Sequence, residues 1–389
     1  MFHIADDDDI KSGKLTDIYF ERTDKILKTV GKNPLVKAEI FLKSFPCGYS
    51  WGVLAGIEET IKLLSGVDKI SIRCMPEGTV FRSFQPVMVI EGKYLDFGVY
   101  ETAILGFLCQ ASGIATKAAR CKLAAQDKLV YSFGARRVHP AITPMIERSA
   151  FIGGADGVST TLGAKLIGQD PVGTIPHSLI LIMGDTVEAT KAFNQVIEPE
   201  VKRISLIDTF NDEKFEAIRV AEGLGKDLFG VRLDTPSSRK GDFRKILEEV
   251  RWELDIRGFN EVRLAVSGGL DEEDILNLRD IADVFGVGTA ISGARVLDFS
   301  LDIVEIEGKK ISKRGKMSGA KKVIRCSKCF SDRIVLEDKK ASDYKCDRCG
   351  SAYEDVFVNA VNEGKILYGF PKASDIRNRV LGQFKFLEL

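Results

Sequence analysis

From about residue 130 onward the chain repeats one pattern, and that repetition limits its fold more than any other feature. Short apolar runs ending in Gly, Thr, Asp or Ser occur at HSLILIMGD (177–185), RISLIDTF (203–210), FGVRLDTP (229–236), EVRLAVSGGL (261–270) and DVFGVGTAI (283–291). Helix-like segments such as DEKFEAIRVAEGL and RKILEEVRWELDIRG lie between them. Units on a beat of roughly 20–35 residues predict a parallel sheet covered by helices. Five visible units, with weaker ones upstream, suit an α/β chain built as an irregular (β/α) barrel that need not be complete. A doubly wound open sheet is the alternative, although no GxGxxG turn opens the first unit.

The flanking regions differ. Residues 1–110 alternate short β-like runs (KAEIFLKSF, VMVIEG) with polar turns, which predicts an N-terminal α/β domain. The stretch 97–126 is the longest helical candidate, and its Gly106 and Gly113 predict close packing or a break. Residues 111–300 form the predicted catalytic barrel. Residues 301–389 form a C-terminal region holding a compact cysteine module at 326–349.

That module has a specific chemistry. CSKC (326–329) and CDRC (346–349) are separated by 16 residues, while the other four cysteines are scattered. Paired CxxC turns at this spacing predict a zinc ribbon in which Cys326, Cys329, Cys346 and Cys349 hold one tetrahedral Zn²⁺. Four cysteine ligands leave no open position, so the expected metal is structural.

Charge and hydropathy exclude other classes. Lys+Arg and Asp+Glu are equal at 56 each, so no global basic field favours nucleic acid. A zinc-ribbon nucleic-acid-binding protein remains the different-class alternative, resting on Lys321, Lys322, Arg325, Lys328 and Arg348. The acidic start MFHIADDDDIK lacks a signal-peptide layout, and runs such as LILIM are too short to span a bilayer. A cytoplasmic protein without a membrane partner is expected.

Catalytic residues of parallel barrels sit where strands end. Arg232 and Asp234 lie two residues apart in a strand-like run, so both project to one face while Val231 and Leu233 project to the other. The other predicted strand ends are SFGARR (132–137), ADGVS (155–159), PHS (176–178), DTF (208–210), SGG (267–269) and GVGT (286–289). The glycines of the last two allow backbone N–H groups to cradle a phosphate, which marks Ser267, Gly268, Gly269, Gly286, Gly288 and Thr289. The bland reading of each Gly-rich turn is a tight βα connection.

Together with DIYFERT (17–23), GGADGVS (153–159), GTIPHS (173–178) and SGGLDE (267–272), these segments closely resemble the nicotinate phosphoribosyltransferase family, whose relatives use nicotinamide or quinolinate. The ribbon lies outside the common core and marks a subgroup. The resemblance implies transfer from 5-phosphoribosyl 1-pyrophosphate (PRPP) to nicotinate, with Mg²⁺, ATP as co-substrate, and a homodimer with shared active sites. It implies that Arg232 flanks the base and phosphates, and that Asp234 addresses the ribose directly or through Mg²⁺. Phe133 would cover one face of the pyridine, with Arg136, in preference to Arg137, meeting anionic groups. Tyr19 would close the other face from a second chain. Asp156 matches an aspartate near the base in the nicotinamide-using relative, which leaves the acid-or-amide preference open. His177 matches a histidine phosphorylated by ATP. Lys316, in the basic loop KRGKMSG (313–319), is the candidate phosphate contact. On residue type alone, Phe133 would be core packing and Arg232–Asp234 a structural ion pair.

Overall fold

The computed structural model describes residues 2–235 and 237–389. They form two compact units, one of residues 117–294 and one in which 1–116 fold with 295–388.

The 117–294 unit is built on six strands. Their spatial order is Gly157–Val158, Leu129–Ser132, Val284–Val287, Arg263–Ser267, Gly230–Leu233, Ile204–Leu206, and every pairing is parallel. The two outer strands do not pair, so among the described residues the ladder is open and no closed barrel forms. Helices cover it as the sequence pattern requires. The Phe243–Asp255 helix buries Phe243, Leu247, Val250 and Leu254, a single stripe at helical spacing. The Glu213–Leu224 helix starts where the Asp212 carboxylate accepts the Lys214 N–H at 3.0 Å.

One apolar run behaves differently. HSLILIM, expected as one of the apolar strand runs, is an α-helix, His177–Met183. Pro176 precedes it in extended conformation, and Gly184 ends it at φ +79°. Both are helix-boundary signals, and a short apolar run carries no period to separate helix from strand. Leu181 and Ile182 are 58% and 82% exposed, so the run is not the core strand its composition suggests.

Register levels the strand ends. Leu206 and Ala265 both pair with Arg232, and Gly286 pairs with both Ser267 and Tyr131. Asp208, Asp234, Ser267 and Phe133 therefore leave the sheet along the same edge. Within the Gly230–Leu233 strand, Val231 and Leu233 are fully buried while Arg232 is not, the alternation expected from the sequence.

The other unit carries a seven-stranded antiparallel sheet. Its order is Lys309–Lys310, Phe299–Ile306, Leu35–Leu42, Pro86–Lys93, Ser71–Cys74, Val358–Asn362, Lys365–Ile366. Residues after 295 thus flank the N-terminal strands on both sides. A three-stranded sheet, Asp332–Leu336, Lys321–Cys326 and Tyr353–Asp355, bears the cysteine module. The helix Glu101–Ala125 runs unbroken through both glycines. A Cβ at Gly113 would collide with the Arg295 carbonyl, whereas one at Gly106 would meet open space.

These two glycines make a matched test. Gly106→Ala should raise the thermal midpoint, because alanine favours a helix by up to about 1 kcal/mol. Gly113→Ala should lower it, since overpacking against backbone costs about 1–3 kcal/mol. Thermal unfolding followed by circular dichroism reads both signs.

Candidate active site

At the carboxyl edge of the parallel sheet lies a pocket of about 500 Å³. Its lining includes Phe133, Arg136, Ser159, Thr174, His177, Arg232 and Asp234. Four of the strands and the turn before the His177 helix converge there, bringing together residues up to about 100 apart in sequence.

Arg232 is the hub. Its Nε donates to Ser267 Oγ at 2.9 Å and an Nη donates to Thr174 Oγ1 at 2.7 Å. The other Nη lies 3.2 Å from Asp234 Oδ2. A guanidinium has five N–H donors, so two remain for a ligand. Ser267 Oγ in turn donates to Asp234 Oδ1 at 2.6 Å. The guanidinium carbon lies 5.4 Å from the centre of the Phe133 ring, which places charge beside an aromatic face.

Two carboxylates face His177. Its Nε2 is 3.8 Å from Asp208 Oδ1 and 4.0 Å from Asp234 Oδ2, while Nδ1 hydrogen-bonds Thr209 Oγ1 at 2.9 Å. Asp208 Oδ2 accepts the Asp234 N–H at 3.2 Å. Asp208 Oδ1 is buried and has no hydrogen-bond partner among the described residues. Burial pushes the Asp208 carboxyl above its ordinary range, against the pull of His177, and the Asp234 charge adds to the rise. Such an oxygen is poised for a cation.

Glycine lets these groups approach. A Cβ at Gly286 would sit 2.6–2.7 Å from Phe133 ring atoms, so only glycine lets the ring lie against that strand. Gly268, at φ +89°, passes close to Asp234, and a Cβ there would lie 3.2 Å from Oδ1. Ser267, Gly268, Gly269, Gly286, Gly288 and Thr289 do not line the pocket itself. Arg136 lines it and Arg137 does not.

Other expected residues fall elsewhere. Asp156 is not in the lining. Its carboxylate accepts from Lys122 Nζ and from Val130 N–H, both at 2.8 Å. The reason is position, since Asp156 precedes its strand and the pocket gathers residues that follow theirs. Tyr19 and Lys316 belong to the other unit. Tyr19 lies in the Ile18–Thr29 helix, is 55% exposed, and its hydroxyl donates to Asp17 at 3.3 Å. Lys316 is held by Asp302 at 2.8 Å with its ammonium 4.0 Å from the Phe41 ring centre. His139 accepts the Ala141 N–H of its own turn. Pro236 of the VRLDTPSS motif lies outside the described residues. Sequence reasoning assigned no role to Asp208 or Thr174. Asp208 follows its strand just as Asp234 does, and that parallel was the available signal.

The four module cysteines converge as their spacing requires. All four sulfurs lie within 4.8 Å of one another, with Cys326–Cys349 and Cys329–Cys346 both at 3.4 Å. Tetrahedral zinc with bonds of ~2.3 Å sets sulfurs about 3.8 Å apart, so the donor set fits. The two turns are built alike. Cys326 and Cys346 donate to the carbonyls of Ser331 and Ser351, and Phe330 and Gly350 take positive φ. Phe330 is held there by its ring, stacked on Phe386 at 4.7 Å. Of the five cations of the nucleic-acid alternative, Lys328 and Arg348 are exposed and the other three are braced internally. Lys321, Lys322 and Arg325 are each 9% exposed and pair with Glu39, Asp355 and Asp332. Among the described residues no helix is long and apolar enough to cross a membrane.

Comparison with known proteins matches residues 17–112 to the N-terminal domain, and residues 114–302 to the C-terminal domain, of quinolinate phosphoribosyl transferase. The chain belongs to the nicotinate/quinolinate phosphoribosyltransferase family. The crystal structure of nicotinate-nucleotide pyrophosphorylase from Pyrococcus furiosus is 55% identical, with a TM-score of 0.97 covering 100% of this chain and 99% of that one. Nicotinate phosphoribosyltransferase of Mycobacterium tuberculosis is 29% identical over 320 residues, 73% of this chain and 67% of its own. The human nicotinic acid phosphoribosyltransferase structure, 18% identical, shares the fold at a TM-score of 0.75 over 96% of this chain and 94% of that one. The ribbon at 326–349 lies beyond the residues matched by the two family domains.

Metal removal tests the ribbon. Cys326→Ser should reduce bound zinc, measured by atomic absorption, and lower the thermal midpoint, because the ribbon strands lose the ion that ties both turns. Unchanged stability after full zinc loss would show that packing alone holds the module.

Proposed function

We propose that this phosphoribosyltransferase joins nicotinate to PRPP, giving nicotinate mononucleotide and pyrophosphate for NAD salvage. The observation that carries this reading is the shared pocket of Phe133, Arg232 and Asp234, where an aromatic face, a partly free guanidinium and a carboxylate meet.

The chemistry needs each of them. The ring nitrogen of the base forms a bond to ribose C1 as the bond from C1 to pyrophosphate breaks. The electron pair of that bond leaves with pyrophosphate. The ribose becomes cationic in between, and Asp234 and Asp208 are fixed negative charges beside it. Charges already in place stabilise such a state without reorganisation. Phe133 stacks on the base, and Arg136 with the two spare Arg232 donors meets its carboxylate and the phosphates. The Ser267–Gly268–Gly269 turn and the Gly286–Gly288–Thr289 turn are assigned to phosphate groups through their backbone. Asp208 Oδ1 and Asp234 Oδ2 are the oxygens that would hold Mg²⁺, which supplies charge neutralisation for the pyrophosphate. Asp156, tied to Lys122, takes no part.

His177 is assigned as the acceptor of a phosphoryl group from ATP. A bond forms from its Nε2 to the γ-phosphorus as the bond to ADP breaks, with Thr209 holding Nδ1. Tyr19 is assigned to the base site of a second copy in a homodimer, and Lys316 to a phosphate once it leaves Asp302. Leu162, Leu166, Leu181 and Ile182, 57–82% exposed, are apolar surface that a second copy would bury, which supports the dimer. A second reading, quinolinate as the base, is favoured by the match of residues 17–112 and 114–302 to the two domains of quinolinate phosphoribosyl transferase.

Pyrophosphate release from PRPP with nicotinate, nicotinamide or quinolinate, each with and without ATP, tests the assignment. Nicotinate should turn over fastest and respond to ATP; faster turnover of quinolinate would transfer the chain to the second reading. His177→Ala should abolish ATP hydrolysis while leaving some ATP-independent synthesis, and an intact ATPase would remove His177 from the mechanism. Asp234→Ala should cut kcat by about 10²–10³-fold, the scale of a lost electrostatic stabiliser, with little change in thermal midpoint. Parallel loss of stability and activity would make Asp234 structural.

A further inference from the structure

Ser159 lines the pocket just after the Gly157–Val158 strand. Behind it stands Glu147, in the Thr143–Ile152 helix and 1% exposed. Glu147 Oε1 accepts the Ser159 N–H at 2.9 Å, the Ser159 hydroxyl at 3.0 Å and the Thr160 N–H at 3.0 Å. Its Oε2 accepts the Thr160 hydroxyl. A Cβ on Gly163 would collide with that same oxygen, so the helix opened by Thr160 is packed onto the carboxylate. All four donors are neutral. A buried carboxylate satisfied only in this way is an unusual element, and one of the residues it holds, Ser159, is part of the pocket wall.

The hydrogen inventory gives the consequence. A serine hydroxyl carries one hydrogen and two lone pairs. Glu147 takes that hydrogen and the Ser159 N–H as well, so Ser159 has only lone pairs to offer a ligand. The cationic donors in the lining are Arg136 and Arg232, and Arg232 has already committed three of its five N–H groups. A carboxylate placed at Ser159 would meet oxygen lone pairs and no donor.

We infer that Glu147 is a positioning residue that makes Ser159 an acceptor-only wall, and that this wall rejects a second carboxylate on the pyridine ring. The inference rests on the reading that this pocket takes a pyridine base. It places the single carboxylate of a monoacid toward the arginines and leaves ring C–H edges toward Ser159. Selectivity between a monocarboxylate and a dicarboxylate then comes from an unfavourable contact built against the wrong ligand.

The test is the ratio of kcat/KM for quinolinate to that for nicotinate, measured with PRPP in the full-length enzyme. Ser159→Ala removes the lone pairs and should raise the ratio about tenfold, on the scale of one polar mismatch. KM for PRPP should stay within about threefold, since Ser159 is assigned to the base alone. Glu147→Ala should shift the ratio the same way and raise KM for the base. Glu147→Gln keeps a carbonyl oxygen for the Oε1 bonds and should hold the wild-type ratio. A purely structural Glu147 would lower the thermal midpoint and leave the ratio unmoved. Should Glu147→Ala fail to fold, Ser159→Ala decides alone, and an unchanged ratio there overturns the inference. A wild-type enzyme that prefers nicotinamide would sink the nicotinate reading while the quinolinate-to-nicotinamide ratio still reads the wall. A wild-type enzyme that prefers quinolinate overturns both.

Discussion

The site depends on where one guanidinium is held. Arg232 is fixed by Ser267 from one neighbouring strand, by Thr174 from the turn before the His177 helix, and by Asp234 from its own chain. Parallel register supplies the alignment, because Ala265 and Leu206 flank Arg232 on its two sides. A partly buried ion pair adds little net stability once desolvation is counted. Its value here is organisation. The pair fixes a carboxylate and two unused donors at a strand end, where loops rather than sheet surround them.

The same logic explains why Asp208 carries an oxygen without a partner. Burial without a hydrogen bond costs free energy, and a fold without a cationic ligand to receive would have little reason to retain it. Its position between His177 and the Asp234 backbone makes that cost local to the pocket. The unit formed by 1–116 and 295–388 meets its charges differently. Lys321, Lys322 and Arg325 find carboxylates internally, and the cysteine module fits a closed four-sulfur ion site. Three of the five cations that look like a surface patch in the sequence are thus internal braces, while Lys328 and Arg348 stay exposed.

Much of the site was legible because strand period and strand ends are local properties. Arg232 and Asp234 were assigned to one face by their two-residue spacing, whereas Phe133, Arg136 and His177 were named by the family resemblance of the segments that carry them. Asp156 misled because the motif shows which residues flank a short strand but not which end opens on the pocket. HSLILIM was expected as a strand because of its composition, whereas the flanking Pro176 and Gly184 made it a helix. Thr174 and Glu147 were invisible in a different way. Neither carries chemistry itself, and each matters only through a partner 12 to 58 positions away.

What the amino-acid order determined by itself was periodic and short-range: alternating βα units, helix caps, a two-residue charge spacing and two CxxC turns. Those follow from backbone geometry and from the fixed reach of a few residues. Tertiary structure alone decided whether the sheet ladder closes, which strand ends share a pocket, and which cations are already matched by buried acids. Such facts depend on register and burial between segments far apart in the chain, and no local pattern encodes the free-energy balance that selects one pairing over another.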